Sequence, residues 1–252
     1  MEHVYARMRQ RARQIVSRLP SPDFYQDHFS AKELSRQCLD NHPVTAELQA
    51  FVAKYVEEDF GHGLKHAVKV AVDAGALMIV ESKSAGHTAD FINRRVLIVQ
   101  CAGLLHDFKR KKDNHAEQGA SYARKVLKTY PLAPDEIEDV RRAILNHVAF
   151  KATIAIKNLE GVLVSDCLYD ADKFRWGPDN FKDTIWSMVT FSKTPIVKFI
   201  DLYHQGMEKI ANIKDTFRTE TGKKYGPQFI DLGLAVGEEL FQVIEAEFTH
   251  LL

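Results

Sequence analysis

A histidine and an aspartate stand side by side at His106 and Asp107, closing the segment Arg95-Val-Leu-Ile-Val-Gln-Cys-Ala-Gly-Leu-Leu. That segment is apolar almost all round, which marks a helix buried at the centre of a domain. An ionised carboxylate carried into such a place costs several kcal/mol unless it is compensated, and a metal ion is the simplest partner for both groups. Imidazole nitrogen with carboxylate oxygen suits Mn, Fe, Zn or Ni, whereas Mg prefers more oxygen. Neighbouring helical residues diverge by about 100°, so the pair shares an ion only if the ion sits over the ridge between them. Alone, the dipeptide is a poor metal motif.

Other reactive side chains fall at suggestive positions. His66 shares a helical stripe with Val70, Ala74 and Leu77 and therefore faces inward. His147 is the last member of the apolar face Ile137, Val140, Ile144. His115 follows Asp113 and Asn114, either of which can cap a helix. His62, between Gly61 and Gly63, reads as a loop residue. The run Lys109-Arg110-Lys111-Lys112 begins two residues after Asp107, so part of it must lie at the mouth of any site there. By proximity, Lys109 and Arg110 are the residues expected to hold a phosphate. Arg175 and Trp176 offer a cation and a stacking face for a base, packing of Trp176 against the core being the other reading.

The three-part pattern His66-Ala-Val-Lys-Val, Ala102-Gly-Leu-Leu-His106-Asp107-Phe and Asp170-Ala-Asp172-Lys-Phe resembles the HD-domain superfamily: a lone His, an adjacent His-Asp pair on a buried helix, then a distant Asp. The match covers about residues 57–190. The resemblance implies a divalent ion (Mn, Fe, Ni, Co, Zn or Mg) held by His66, His106, Asp107 and Asp172. Asp170 stands as the alternative to Asp172, which is preferred because Lys173 and Phe174 follow it as a basic and a bulky residue follow the family ligand. His115 and His147 sit where some members place further ligands or substrate contacts, which leaves one ion or two.

Relatives of this type commonly hydrolyse phosphomonoesters or phosphodiesters, often of nucleotides. The implied activity is a metal-dependent phosphohydrolase acting on a nucleotide or related small molecule. Asp107 would ligate and orient water, and a protonated His115 or His147 would assist the leaving oxygen, with the choice between them open. A di-iron oxygenase of the same superfamily and a non-catalytic metal or nucleotide-binding module are the alternatives. No P-loop, GxGxxG, GxSxG or HExxH occurs, so kinase, dehydrogenase, serine hydrolase and zincin chemistry lack motif support.

The elements that must position these groups read as helices throughout, with no sustained strand alternation. The fold expected is all-α: an HD-domain helical bundle over residues 43–190, a helical N-terminal extension over 1–42, and C-terminal helices over 191–252 that pack on it. Pro43 and Pro134 open helices. The Gly222-Lys-Lys-Tyr-Gly226-Pro227 stretch reads as a turn between two amphipathic C-terminal helices.

In the 252-residue chain, 34 Lys+Arg balance 34 Asp+Glu, so no net field favours nucleic acid or an anionic membrane. The arginines of the first helix (Arg7, Arg9, Arg11, Arg13, Arg18) are the one local basic feature that could touch RNA or acidic lipid. No secretory signal or membrane span is legible. Three widely spaced cysteines, Cys38, Cys101 and Cys167, fit a reduced cytoplasmic protein. A homodimer is left open.

Overall fold

The computed structural model describes residues 2–55 and 63–248; His62 lies outside them. Every regular element among the described residues is helical. In chain order they are α1 (Glu2–Val16), α2 (Asp23–Asp27), α3 (Phe29–Asn41), α4 (Pro43–Tyr55), α5 (Leu64–Ser84), α6 (Ala89–Leu105), α7 (His115–Leu127), α8 (Pro134–Asn146) and α9 (Leu159–Phe174). A π-helical turn (Asn180–Thr184), α10 (Ile185–Phe191), α11 (Ile196–Asp201), α12 (Tyr203–Ala211), a 3-10 turn (Asn212–Thr216) and α13 (Glu220–Phe248) complete the chain.

Helix starts follow local chemistry. The Asn158 side chain accepts the Gly161 amide at 2.8 Å at the head of α9, and the Glu136 carboxylate accepts the Ala133 amide at 2.7 Å behind the Pro134 that opens α8. Helices α5 and α6 form the centre of one continuous apolar core. Their backbones come close where Gly103 faces Ala71: a Cβ at Gly103 would lie 2.6 Å from Ala71 Cα and 2.8 Å from its nitrogen. We expect Gly103→Ala to force these helices apart, costing about 1–3 kcal/mol by denaturant titration and shifting His66 against His106, because α5 carries the one and α6 leads into the other. Unchanged stability would contradict this packing.

The N-terminal helices pack on the centre of the bundle. Helix α3 lies on α5 and α6, with Ser35 Oγ donating to Val72 O at 2.7 Å and Gln100 Nε2 donating to Ser35 O at 2.7 Å. The turn expected at residues 222–227 is absent, since these residues run inside the single helix α13. Gly226 serves close contact rather than a turn, for a Cβ there would fall 2.4 Å from the Phe217 ring. Pro227 is accommodated within the helix at the loss of one backbone hydrogen bond.

Each arginine of α1 and its following turn has a partner within the chain. Arg9 and Arg13 donate to Asp183 at 2.7 Å, Arg11 pairs with Glu247, Arg18 with Glu239 at 2.5 Å, and Arg7 lies 5.0 Å from the Phe248 ring centroid. The basic segment thus holds the C-terminal elements in place. No helix among the described residues is long and apolar enough to cross a membrane.

Candidate metal centre

Helix termini deliver the reactive groups to one place. His66 lies in the first turn of α5, His106 caps the C-terminus of α6 with Asp107 next, His115 opens α7, His147 caps the C-terminus of α8, and Asp172 lies in the last turn of α9. The carbonyl ends of α6 and α8 favour a cation in front of them.

His66, His106, Asp107 and Asp172 are all buried, and their ligating atoms converge. His66 Nε2 is 3.2 Å from His106 Nε2 and 3.4 Å from Asp172 Oδ1. His106 Nε2 is 3.7 Å from Asp172 Oδ1 and 3.5 Å from Asp107 Oδ2, and His66 Nε2 is 3.9 Å from that same Asp107 oxygen. The other Asp107 oxygen, Oδ1, lies 3.3 Å from His147 Nε2 and 3.9 Å from His115 Nε2. Asp107 therefore stands between two groups, His66 with His106 and His115 with His147, each arranged as a set that could hold an ion.

Two observations fit metal rather than an ordinary hydrogen-bonded cluster. His106 Nδ1 donates to Gly103 O at 2.8 Å and His147 Nδ1 to Ile144 O at 2.6 Å, which leaves each Nε2 facing the cluster, the orientation that ligating histidines adopt. In addition, His147 Nε2 is buried and makes no hydrogen bond, a state a buried nitrogen does not keep without cost.

The charges reinforce one another. Burial opposes ionisation of Asp172, yet the Lys173 ammonium 2.5 Å from Oδ2, with hydrogen bonding to His106 and His66, holds its carboxyl well below the usual carboxylate range. Burial likewise opposes protonation of His106, but the Asp107 and Asp172 carboxylates outweigh it and raise the imidazole above its ordinary value.

His115 behaves oppositely: burial, then the adjacent Arg110, pushes it down to about 4, and Arg110 Nη1 donates to its Nε2 at 2.9 Å. These surroundings favour the neutral ring, an acceptor, over the protonated form. The folded state binds fewer protons than the unfolded one between the ordinary histidine value near 6.5 and about 4, so this group's contribution to stability falls as pH drops through that window. In metal-free protein, the His115 ring resonances are expected to titrate near pH 4; a midpoint near 6.5 would contradict this environment.

The two carboxylates left open by the sequence separate cleanly. Asp170 points to the start of α13, accepting from the Arg218 amide at 2.9 Å and from the Thr219 amide and hydroxyl at 2.8 and 2.7 Å. Asp166 lies 3.7 Å from Arg218. Only Asp172 faces the histidines.

Of the expected phosphate contacts, Arg110 reaches the site, with Nη1 3.8 Å from Asp107 Oδ1. Lys109 does not; its ammonium sits 4.2 Å from the Tyr122 ring centroid, where an aromatic face holds the cation. Arg175 lines the cavity, with its guanidinium engaged in a buried network: it pairs with Asp73, donates to Tyr25 Oη at 2.7 Å and to Asp179 Oδ2 at 2.5 Å. Trp176 is half-buried, packing against the core and also lining the cavity. Sequence reasoning missed Lys173 as a site residue. It is a buried lysine that also donates to His147 O at 2.9 Å, and its signal was a cation directly after Asp172 on the helix that carries the ligand.

The cluster opens into a cavity of about 560 Å³ whose lining includes His66, Asp107, Arg110, His115, His147 and Asp172, within the size range of small-molecule sites. Comparison with protein-family models, with curated proteins and with solved structures gives no match, so the functional reading rests on this geometry and on the sequence pattern.

Proposed function

We propose that the chain is a metal-dependent phosphohydrolase of the HD-domain type, cleaving a small phosphoester. The observation that carries this reading is the placement of Asp107, one carboxylate oxygen toward His66 and His106 and the other toward His115 and His147, at the head of a cavity with Arg110 beside it. His66, His106, Asp107 and Asp172 would hold a divalent ion, with Asp107, His115 and His147 able to take a second once His115 exchanges Arg110 for it. When bound, such an ion supplies Lewis acidity toward a phosphoryl oxygen and makes water acidic enough to ionise near neutral pH.

The chain's own residues do the rest. Asp107 orients the attacking water through the oxygen not committed to the first ion. Arg110 neutralises the phosphate, and release from His115 frees its guanidinium to do so. Lys173 fixes the Asp172 carboxylate and the His147 carbonyl together, keeping both sets in register. His147 lines the cavity; with only the first ion bound, its Nε2 is the position from which a proton would pass to the leaving oxygen, and with a second ion bound it would serve as a ligand instead.

The test is phosphate release from a panel of nucleotides and model phosphoesters with Mn, Mg, Ni and Co. Release that depends on metal and stops with chelator is expected. Near-stoichiometric metal without release from any substrate would overturn the hydrolase. The double His/Asp arrangement specifically favours one rival, a di-iron oxygenase, which would show substrate-dependent oxygen uptake after loading with iron. A binding module would show neither.

A further inference from the structure

The cavity has a second lining that phosphoester chemistry does not use. From α10 come Met188 and Val189, from α11 Phe199, from α12 Met207 and Ile210, and Leu202 joins the last two helices. The polar groups among these elements are largely committed internally. Tyr203 Oη donates to Gly237 O at 2.7 Å, Trp186 Nε1 donates to Phe181 O at 2.5 Å, and the Ser192 and Thr194 hydroxyls bond each other at 2.7 Å. Asn180, Thr184 and the exposed Lys209 are the polar exceptions.

A second observation marks the same place. Three large apolar side chains left exposed to water line this one cavity: Phe150 at 61%, Leu202 at 45% and Met188 at 42%. Phe150 does so from a left-handed backbone, φ 61°, a conformation unfavourable for a bulky residue and tolerated mainly where the surroundings or function demand it. It follows His147 by three residues and lines the same cavity as the reactive head. Apolar groups kept at the rim of a cavity gain stability when an apolar ligand covers them. The unbranched thioethers of Met188 and Met207 adapt to a flexible chain better than to a rigid ring.

Resting on the hydrolase reading above, we propose that the substrate is a monomeric amphiphile, a phosphoester whose phosphate lies at the His/Asp cluster and Arg110 and whose alkyl chain lies along Met188, Val189, Phe199, Leu202, Met207 and Ile210. In the reaction, water oxygen bonds to phosphorus, the bond from phosphorus to the alkyl oxygen breaks, and that oxygen takes a proton to leave as a fatty alcohol, with inorganic phosphate as the other product. The apolar arm then fixes the chain, so that the ester oxygen rather than a remote group is presented to His147.

The experiment is titration calorimetry of the full chain, as purified and with added Mn, against n-alkylphosphonates from methyl to octyl, all below micellar concentration, with a nucleoside 5′-phosphonate for comparison. Their carbon–phosphorus bond resists hydrolysis, so binding is read apart from turnover. Affinity is expected to rise roughly fourfold per added methylene over the first several carbons. The double variant Met188→Asp with Leu202→Asp, at positions exposed enough to leave the core intact, is expected to cut that increment below about twofold. Equal affinity across the series, no binding by any member, or tighter binding of the nucleoside phosphonate than of octylphosphonate would overturn the proposal. A chain-length trend in a protein that hydrolyses no phosphoester would retain the amphiphile and dismiss the hydrolase.

Discussion

Replacing Asp107 by alanine is expected to lower metal-dependent phosphate release on the order of a thousandfold or more. One carboxylate here serves two sets of ligands, with Oδ2 3.5 Å from His106 Nε2 and Oδ1 3.3 Å from His147 Nε2. Its loss removes a negative charge from each and, on the proposed mechanism, the group that would orient water. Asp107→Asn keeps the shape and removes the charge, and is expected to fall nearly as far. Steady-state kinetics of Lys109→Ala supply the contrast: because that ammonium lies over the Tyr122 ring, less than about a threefold change is expected, the scale of a surface charge. Comparable losses in the two variants would show that the basic run, not the cluster, carries the chemistry.

The second large effect falls on stability. Asp73 and Arg175 are both buried and pair with each other, with Tyr25 Oη donating to Asp73 Oδ2 at 2.8 Å and Asp179 bridging Arg175 to Lys69 at 2.5 and 2.7 Å. Although burial opposes it, the charges around Arg175 hold its guanidinium firmly protonated. Asp73→Ala leaves that charge in place without its nearest carboxylate, and removing one partner of a buried pair costs about 3–5 kcal/mol. For a chain of this length the melting temperature is expected to fall by roughly 10 °C. The double replacement Asp73→Leu with Arg175→Met should recover much of the loss, since a buried ion pair and an apolar pair of similar size are close in free energy. A melting temperature unchanged by Asp73→Ala would mean that the network is solvated and dispensable. Arg175 follows Asp172 by three residues, so the same network anchors the end of α9 that presents Asp172.

Periodicity read the centre of this molecule well because a buried helix leaves a mark on every residue. The apolar run ending at His106, the inward stripe of His66 and the terminal position of His147 on the face of α8 were all legible, and each is where the structure has it. The choice of Asp172 over Asp170 was legible only by likeness to a known pattern. Period alone cannot show that Asp170 turns instead to the amides of Arg218 and Thr219, some 48 residues away in sequence. The same limit hid Arg175, whose partners Tyr25 and Asp73 come from α2 and α5. Glycine and proline misled at residues 222–227, because a glycine that admits a neighbouring ring looks, in sequence, like one that turns the chain. The apolar arm was not visible at all. Its residues belong to short helices whose inward faces meet a cavity, and a face against a cavity has the same spacing as a face against a core.

Bound metal is the most direct test of the proposed centre. Elemental analysis of the purified chain, paired with anomalous scattering from crystals at the absorption edge of the metal found, is predicted to show at least one transition-metal ion per chain within bonding distance of His66, His106, Asp107 and Asp172, lost in Asp172→Ala while the helical content is kept. A folded wild-type chain that retains no ion after incubation with Mn, Fe, Ni, Co or Zn, or one whose ion lies elsewhere, would contradict it.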